Sequence, residues 1–231
     1  MERITKYAKF NYSKKDEDLI VELGDYLNQK YEDIFNFFDS SLQREQVEIN
    51  IIPTKKEYDE ISKKIRGIDS IPNWSIGLSH DNKIEYVSLH DYKNTAHAFS
   101  EDKYLEKLDY YKKTIAHEYV HFVSGLYCKK NSLEWPVKFL NEGIATYLSG
   151  QKENMNIPFN YTLDDILVSK TCYDAWYLLT KYIIEEYGKD YFLELFGNNE
   201  LATKEAPRLF EEAKEYYEKR LERIFLSFII V

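Results

Sequence analysis

In residues 14–39, "KKDEDLIVELGDYLNQKYEDIFNFFD", apolar side chains fall at Leu19, Leu23, Tyr26, Leu27, Tyr31, Ile34 and Phe38. Intervals of three and four put them on one face of a helix, so a long amphipathic helix is predicted here. The pattern is different on either side. "YAKFNY" (7–12) reads as a short strand, and "QVEINIIP" (46–53), alternating and β-branched, as another. "TKKEYDEISKKIRG" (54–67) predicts a helix that carries its own punctuation. Thr54 is the N-cap, Glu57 stands at the capping-box position and Gly67 follows the end. "WSIGLS" and "KIEYVSLHDY" predict two more strands, with "HDN" turning between them. The chain up to about residue 99 is therefore mixed α and β.

From about residue 100 the period becomes helical. Ser100 is placed to cap a helix running to Gly125, with apolar residues at Leu105, Leu108, Tyr111, Ile115, Tyr119, Phe122 and Val123. A second helix is predicted from near Trp135, with Pro136 in its first turn, through "VKFLNEGIATYL". A third runs from about Cys172 to Gly188, a short fourth follows, and a fifth occupies about 203–227. This is an α+β pattern. It predicts one domain over 1–231, with a mixed N-terminal lobe (1–99) holding a small sheet and a mainly helical lobe (100–231).

Composition narrows the function classes. Net charge is −9 over 231 residues, and Lys and Arg are interspersed with Asp and Glu. No basic stripe suits nucleic acid and no polybasic segment suits an anionic membrane. No apolar run approaches the length of a membrane span. The start, "MERITKYAKFNY", lacks the apolar run of a secretory signal, so a cytoplasmic location is expected, with Cys128 and Cys172 as reduced thiols. The tail "IFLSFIIV" is expected to dock on the core. Twenty-one tyrosines and 13 phenylalanines supply packing surface, which dilutes the meaning of any single aromatic.

The candidate chemistry lies in "IAHEYVHFVSG" (115–125). On a helix, positions i and i+4 share a face one turn apart, so His117 and His121 can aim two imidazoles at one point. Glu118 is offset from them and suited to reach a water at a metal rather than the metal itself. Two imidazoles, an open position and a carboxylate base are the parts of a catalytic zinc site. A third ligand is needed. The metzincin pattern requires Gly at 124 and His at 127, where this chain has Ser124 and Tyr127. Glu142, 21 residues past His121 in "WPVKFLNEGIATYLSG", lies on the next predicted helix; Glu134, its rival, sits in a predicted loop. Gly143 would let that helix approach the HEYVH helix closely. His80, His90 and His97 lack ligand spacing and are expected to be surface or hydrogen-bonded groups.

"HEYVH" followed by "WPVKFLNEGIATYL" resembles the gluzincin metallopeptidases of the peptidase MA-like group, which pair HExxH with a helix carrying Asn/Ser-Glu-Gly-x-Ala. The resemblance extends to the "VEINIIP" strand, the "WSIGL…IEYVSLH" hairpin and "CYDAWYLLTKYIIEEYG", covering most of residues 7–200. It implies a zincin-like fold with an active-site cleft between the lobes, and one zinc per chain held by His117, His121 and Glu142. It further implies Glu118 as the base and a peptide or protein substrate. The family also carries a tyrosine where Tyr173 stands, which makes Tyr173 a candidate donor to the oxyanion. In this family the strand before the active-site helix lines the cleft, so the alternating residues 84–89 are expected to offer their edge to substrate. The alternative is a catalytically silent binding or regulatory protein on the same fold; neither substrate nor oligomeric state follows from the sequence.

Overall fold

The computed structural model describes residues 1–97, 104–153 and 157–229. Five strands, β1 (Glu2–Ile4), β2 (Ala8–Asn11), β3 (Val47–Ile52), β4 (Gly77–His80) and β5 (Lys83–Val87), form one sheet in the order β1-β2-β3-β5-β4. β2, β3 and β5 are parallel, and the outer strands β1 and β4 are antiparallel to their neighbours. The helices are α1 (Glu17–Phe38), α2 (Lys55–Arg66), α3 (Tyr104–Asn131), α4 (Lys138–Ser149), α5 (Leu163–Leu167), α6 (Tyr173–Phe196) and α7 (Asn199–Ile229). Mixed α and β with a mainly helical C-terminal part is what the periodicity predicts. By contact the chain divides into two compact units, Met1–Tyr127 and Cys128–Val231.

In the first unit the period-2 pattern sorts the sheet into two faces. Phe10, Val47, Ile49, Ile84 and Tyr86 are fully buried on one of them. Against this face pack α1 and α3. Tyr31 of α1 stacks on Tyr7 and meets Tyr119 of α3 at 5.4 Å between ring centroids; Tyr111 of α3 meets Tyr86 edge-on at 4.9 Å. Each such side chain taken from water contributes about 1.5–3 kcal/mol. Asp16 is fully buried just before α1, where the hydroxyls of Ser13 and Ser88 each donate to it at 2.5 Å. It ties the start of α1 to the end of β5 and answers the cost of burying a carboxylate. The N-cap and the closing glycine of α2 stand where the sequence predicts, but the Glu57 side chain does not return the capping-box bond to Thr54. Thr54 Oγ accepts from the Glu57 amide at 3.2 Å, and Gly67 adopts φ 64°, a left-handed conformation that favours glycine.

Several elements depart from the predicted pattern. β5 ends at Val87, and "LHDYKN" (Leu89–Asn94) coils into a 3-10 segment rather than extending the strand. Ser88 begins that coil, its hydroxyl accepting from the His90 amide. Pro136 precedes α4 instead of lying in its first turn. Ser100, the expected cap of the HEYVH helix, lies outside the described residues; so does the side-chain packing of the tail.

In the second unit α4 packs on α6, and Gly143 lies at a close approach between them. A Cβ there would run into the Thr180 side chain and stand 2.7 Å from the Trp176 carbonyl. The helix that Gly143 admits is thus α6. Trp176, fully buried, donates its indole N–H to the Ile166 carbonyl of α5 at 3.0 Å. Gly188 was predicted to end the third helix. It does break the helical conformation (φ 86°, ψ 166°), but the chain resumes helix beyond it to Phe196, which accounts for the short fourth helix.

Candidate metal centre

α3 carries His117, Glu118 and His121. His117 is buried, His121 half-buried, and their rings meet nearly edge-on with centroids 4.8 Å apart. The two Nε2 atoms stand 3.1 Å from each other. One helical turn is responsible for this convergence. Around it the helix is held by Tyr111, Ile115, Ala116, Tyr119 and Val120, all fully buried, so the imidazoles project from a rigid support. Glu142 lies on α4, beside buried Asn141 and Gly143. His117, His121 and Glu142 form a group that can hold a metal ion: each offers a ligand atom, and these atoms lie within 4.8 Å of one another. Glu134 precedes α4 and is exposed.

Glu118 is not in that group. Its carboxylate lies against β4, at Gly77. A Cβ built on Gly77 would sit 2.8 Å from Glu118 Oε1 and 2.8 Å from the Tyr86 ring. The same glycine's carbonyl accepts from the Tyr58 hydroxyl of α2 at 2.6 Å. Burial pushes the Tyr58 phenol up to about 12, and the Glu118 carboxylate adds to that rise. Tyr58 therefore acts as a neutral donor that holds β4 in place. Sequence reasoning missed Gly77; its signal was a glycine inside a strand pattern, a mark of close approach.

The strand expected to offer its edge does not have one. β5 is hydrogen-bonded to β3 on one side and β4 on the other, and the Ser88 amide donates to the Ile52 carbonyl at 2.8 Å. The edge of the sheet on this side is β4. Since Val87 N–H donates to Ile76 O, the alternating antiparallel pattern turns the main-chain groups of Gly77 and Ser79 away from β5.

Tyr173 begins α6, half-buried, with its ring edge-on to Trp176 at 5.3 Å. The other histidines are hydrogen-bonded: His80 to Glu85 (3.3 Å), His90 to the Lys15 carbonyl (2.8 Å), and His97 to the Trp74 carbonyl (2.8 Å) and Tyr110 (3.0 Å). Both cysteines are free thiols. Burial raises both, Cys128 to about 11, which keeps that thiol protonated and inert near neutral pH. No described helix is long and apolar enough to cross a membrane. No protein-family model matches the chain, and a search of the curated proteins finds no match either.

Proposed function

We propose that this chain is a zincin-like, zinc-dependent peptidase in which His117, His121 and Glu142 hold the metal and Glu118 is the general base. One observation carries the reading: two imidazole nitrogens converge with a carboxylate, while Glu118, the residue after His117 on the same helix, sets its own carboxylate against Gly77 and stays out of the ligand group. The donor set fits the ion. Two neutral nitrogens and one oxygen suit zinc, and two nitrogens at about 2.0–2.1 Å from a tetrahedral zinc stand roughly 3.3 Å apart, close to the 3.1 Å found. Zinc bound there would supply Lewis acidity, lowering the pKa of a water to about 7 and polarising a substrate carbonyl. Glu118 takes the proton of the attacking water and carries it to the leaving amide nitrogen. A structural site, with protein groups filling every position, has no use for such a carboxylate.

An extended peptide laid along β4 would pass Glu118, since β4 is the edge strand on this side, its Gly77 carbonyl held by Tyr58 and its Gly77 amide and Ser79 main-chain groups turned outward, and Gly77 brings strand and carboxylate together. Gly77→Ala pushes a methyl into the Glu118 carboxylate. The expected result is a fall in kcat of about tenfold or more at unchanged zinc content, because small misplacements of a catalytic group are costly. Wild-type kcat in Gly77→Ala would detach β4 from the site.

Tyr173 is the proposed donor to the developing oxyanion, aided by the positive end of α6. Tyr173→Phe removes only the hydroxyl, so kcat should fall with little change in KM. Activity within about twofold of wild type would leave Tyr173 as a packing aromatic. The function as a whole is tested by incubating zinc-loaded protein with a broad peptide library and sequencing the products. A library left intact would favour a binding protein over an enzyme.

A further inference from the structure

The second face of the sheet carries a polar row that a folding scaffold does not require. Asn11 of β2 donates its amide to Asn50 of β3 at 2.8 Å, Asn50 donates to Glu85 of β5 at 3.1 Å, and His80 of β4 reaches the same Glu85 oxygen at 3.3 Å. Glu85 is 6% exposed. Strand interiors on such a face are ordinarily apolar or, where polar, solvated; a carboxylate this deep is costly unless it is paired. Its partners are one amide and one imidazole, and both meet Oε1. Among the described residues no donor reaches Oε2.

Glu85 belongs to the lining of a groove of about 580 Å³, within the range of small-ligand sites. The floor is Asn11, Asn50 and Glu85; Ile52, Pro53 and Ile61 supply apolar wall. The floor is rich in acceptors and poor in donors. The Asn11 amide is committed to Asn50 and to Glu48 (3.0 Å), which leaves Asn11 Oδ1 and Glu85 Oε2 as acceptors. The lining ammonium, at Met1, is turned onto the Tyr12 carbonyl (2.7 Å) at the exposed rim. Lys83 and Lys9 lie nearest carboxylates other than Glu85, at Glu48 (3.7 Å) and Glu2 (2.9 Å). The missing element is a cation at the floor with a hydrocarbon body against the wall. We propose that this groove binds a small organic ammonium ion, with its N–H groups on Glu85 Oε2 and Asn11 Oδ1. Charge-assisted hydrogen bonds to a buried carboxylate would provide most of the selectivity.

The site is separate from the His117 group, so its test does not depend on any peptidase activity. Protein labelled with ¹⁵N is titrated with n-butylammonium chloride, and in parallel with n-butanol at matched salt, while the side-chain NH₂ signals of Asn11 and Asn50 are followed. Saturable shifts with the ammonium ion and none with the alcohol are expected. Glu85→Gln, which keeps the shape and removes the charge, should weaken binding by about tenfold or more. No saturable shift, an equal response to butanol, or unchanged affinity in folded Glu85→Gln would each overturn the proposal. If Glu85→Gln does not fold, Ile61→Trp fills the groove from α2 and leaves the polar row intact. It should abolish the shifts, and their persistence would equally overturn the site.

Discussion

Alanine at His117 is expected to take the purified protein from about one zinc per chain to less than about a tenth of that, with Glu142→Ala doing the same. Each replacement leaves two of three ligands. His117→Ala breaks the imidazole pair whose Nε2 atoms stand 3.1 Å apart, and Glu142→Ala keeps that pair but removes the carboxylate that completes the group. Zinc that binds only the folded chain also stabilises it. At a free concentration of about one hundred times Kd that amounts to about 2.7 kcal/mol. For a chain of this size it corresponds to a shift in Tm of roughly 5–11 °C. A chelator should therefore lower the Tm of wild type and leave His117→Ala nearly unmoved. Mass spectrometry under native conditions and metal analysis of dialysed protein read the stoichiometry directly. Full occupancy in both variants would remove the assignment of these residues as ligands.

Glu118→Gln should separate catalysis from metal binding. Gln keeps the length of the side chain and its packing against Gly77, so fold and zinc content should match wild type. What it removes is the ability to accept a proton. Peptide hydrolysis is expected to drop by about a hundredfold or more, about 2.7 kcal/mol of transition-state stabilisation. The comparison is made on whichever library peptide the zinc-loaded wild type cleaves. Turnover at the wild-type rate would take Glu118 out of the mechanism. Lost activity with lost zinc would point to a damaged site instead.

Much of the site was legible in the sequence because it is local. The spacing of His117 and His121 alone puts both imidazoles on one face of a helix, whatever that helix packs against. Thr54 and Gly67 mark the ends of α2 by the same kind of short-range chemistry, and the 3.6-residue period of 14–39 identifies α1. Short elements without such signals were missed. β1 is three exposed residues held by pairing to β2, and α5 is five residues closed by a Thr162–Asp165 capping box that the periodicity did not single out.

What only the tertiary structure decided is which distant residues meet. β4 and β5 were both read as strands, but order in a sheet is a property of hydrogen bonds between segments far apart in sequence. The alternation of 84–89 says that two faces differ; it does not say whether both edges are taken. Pairing to β3 and β4 makes β5 interior and leaves β4 as the edge. Gly77 meets Glu118 across 41 positions of chain, and Asn11, Asn50 and Glu85 line up from three strands. Gly143 admits α6 rather than the helix its motif suggested. Local spacing determines where a side chain points from its own backbone; the burial of large apolar faces against one another determines what it then touches, and that sum over the whole chain has no short-range signature.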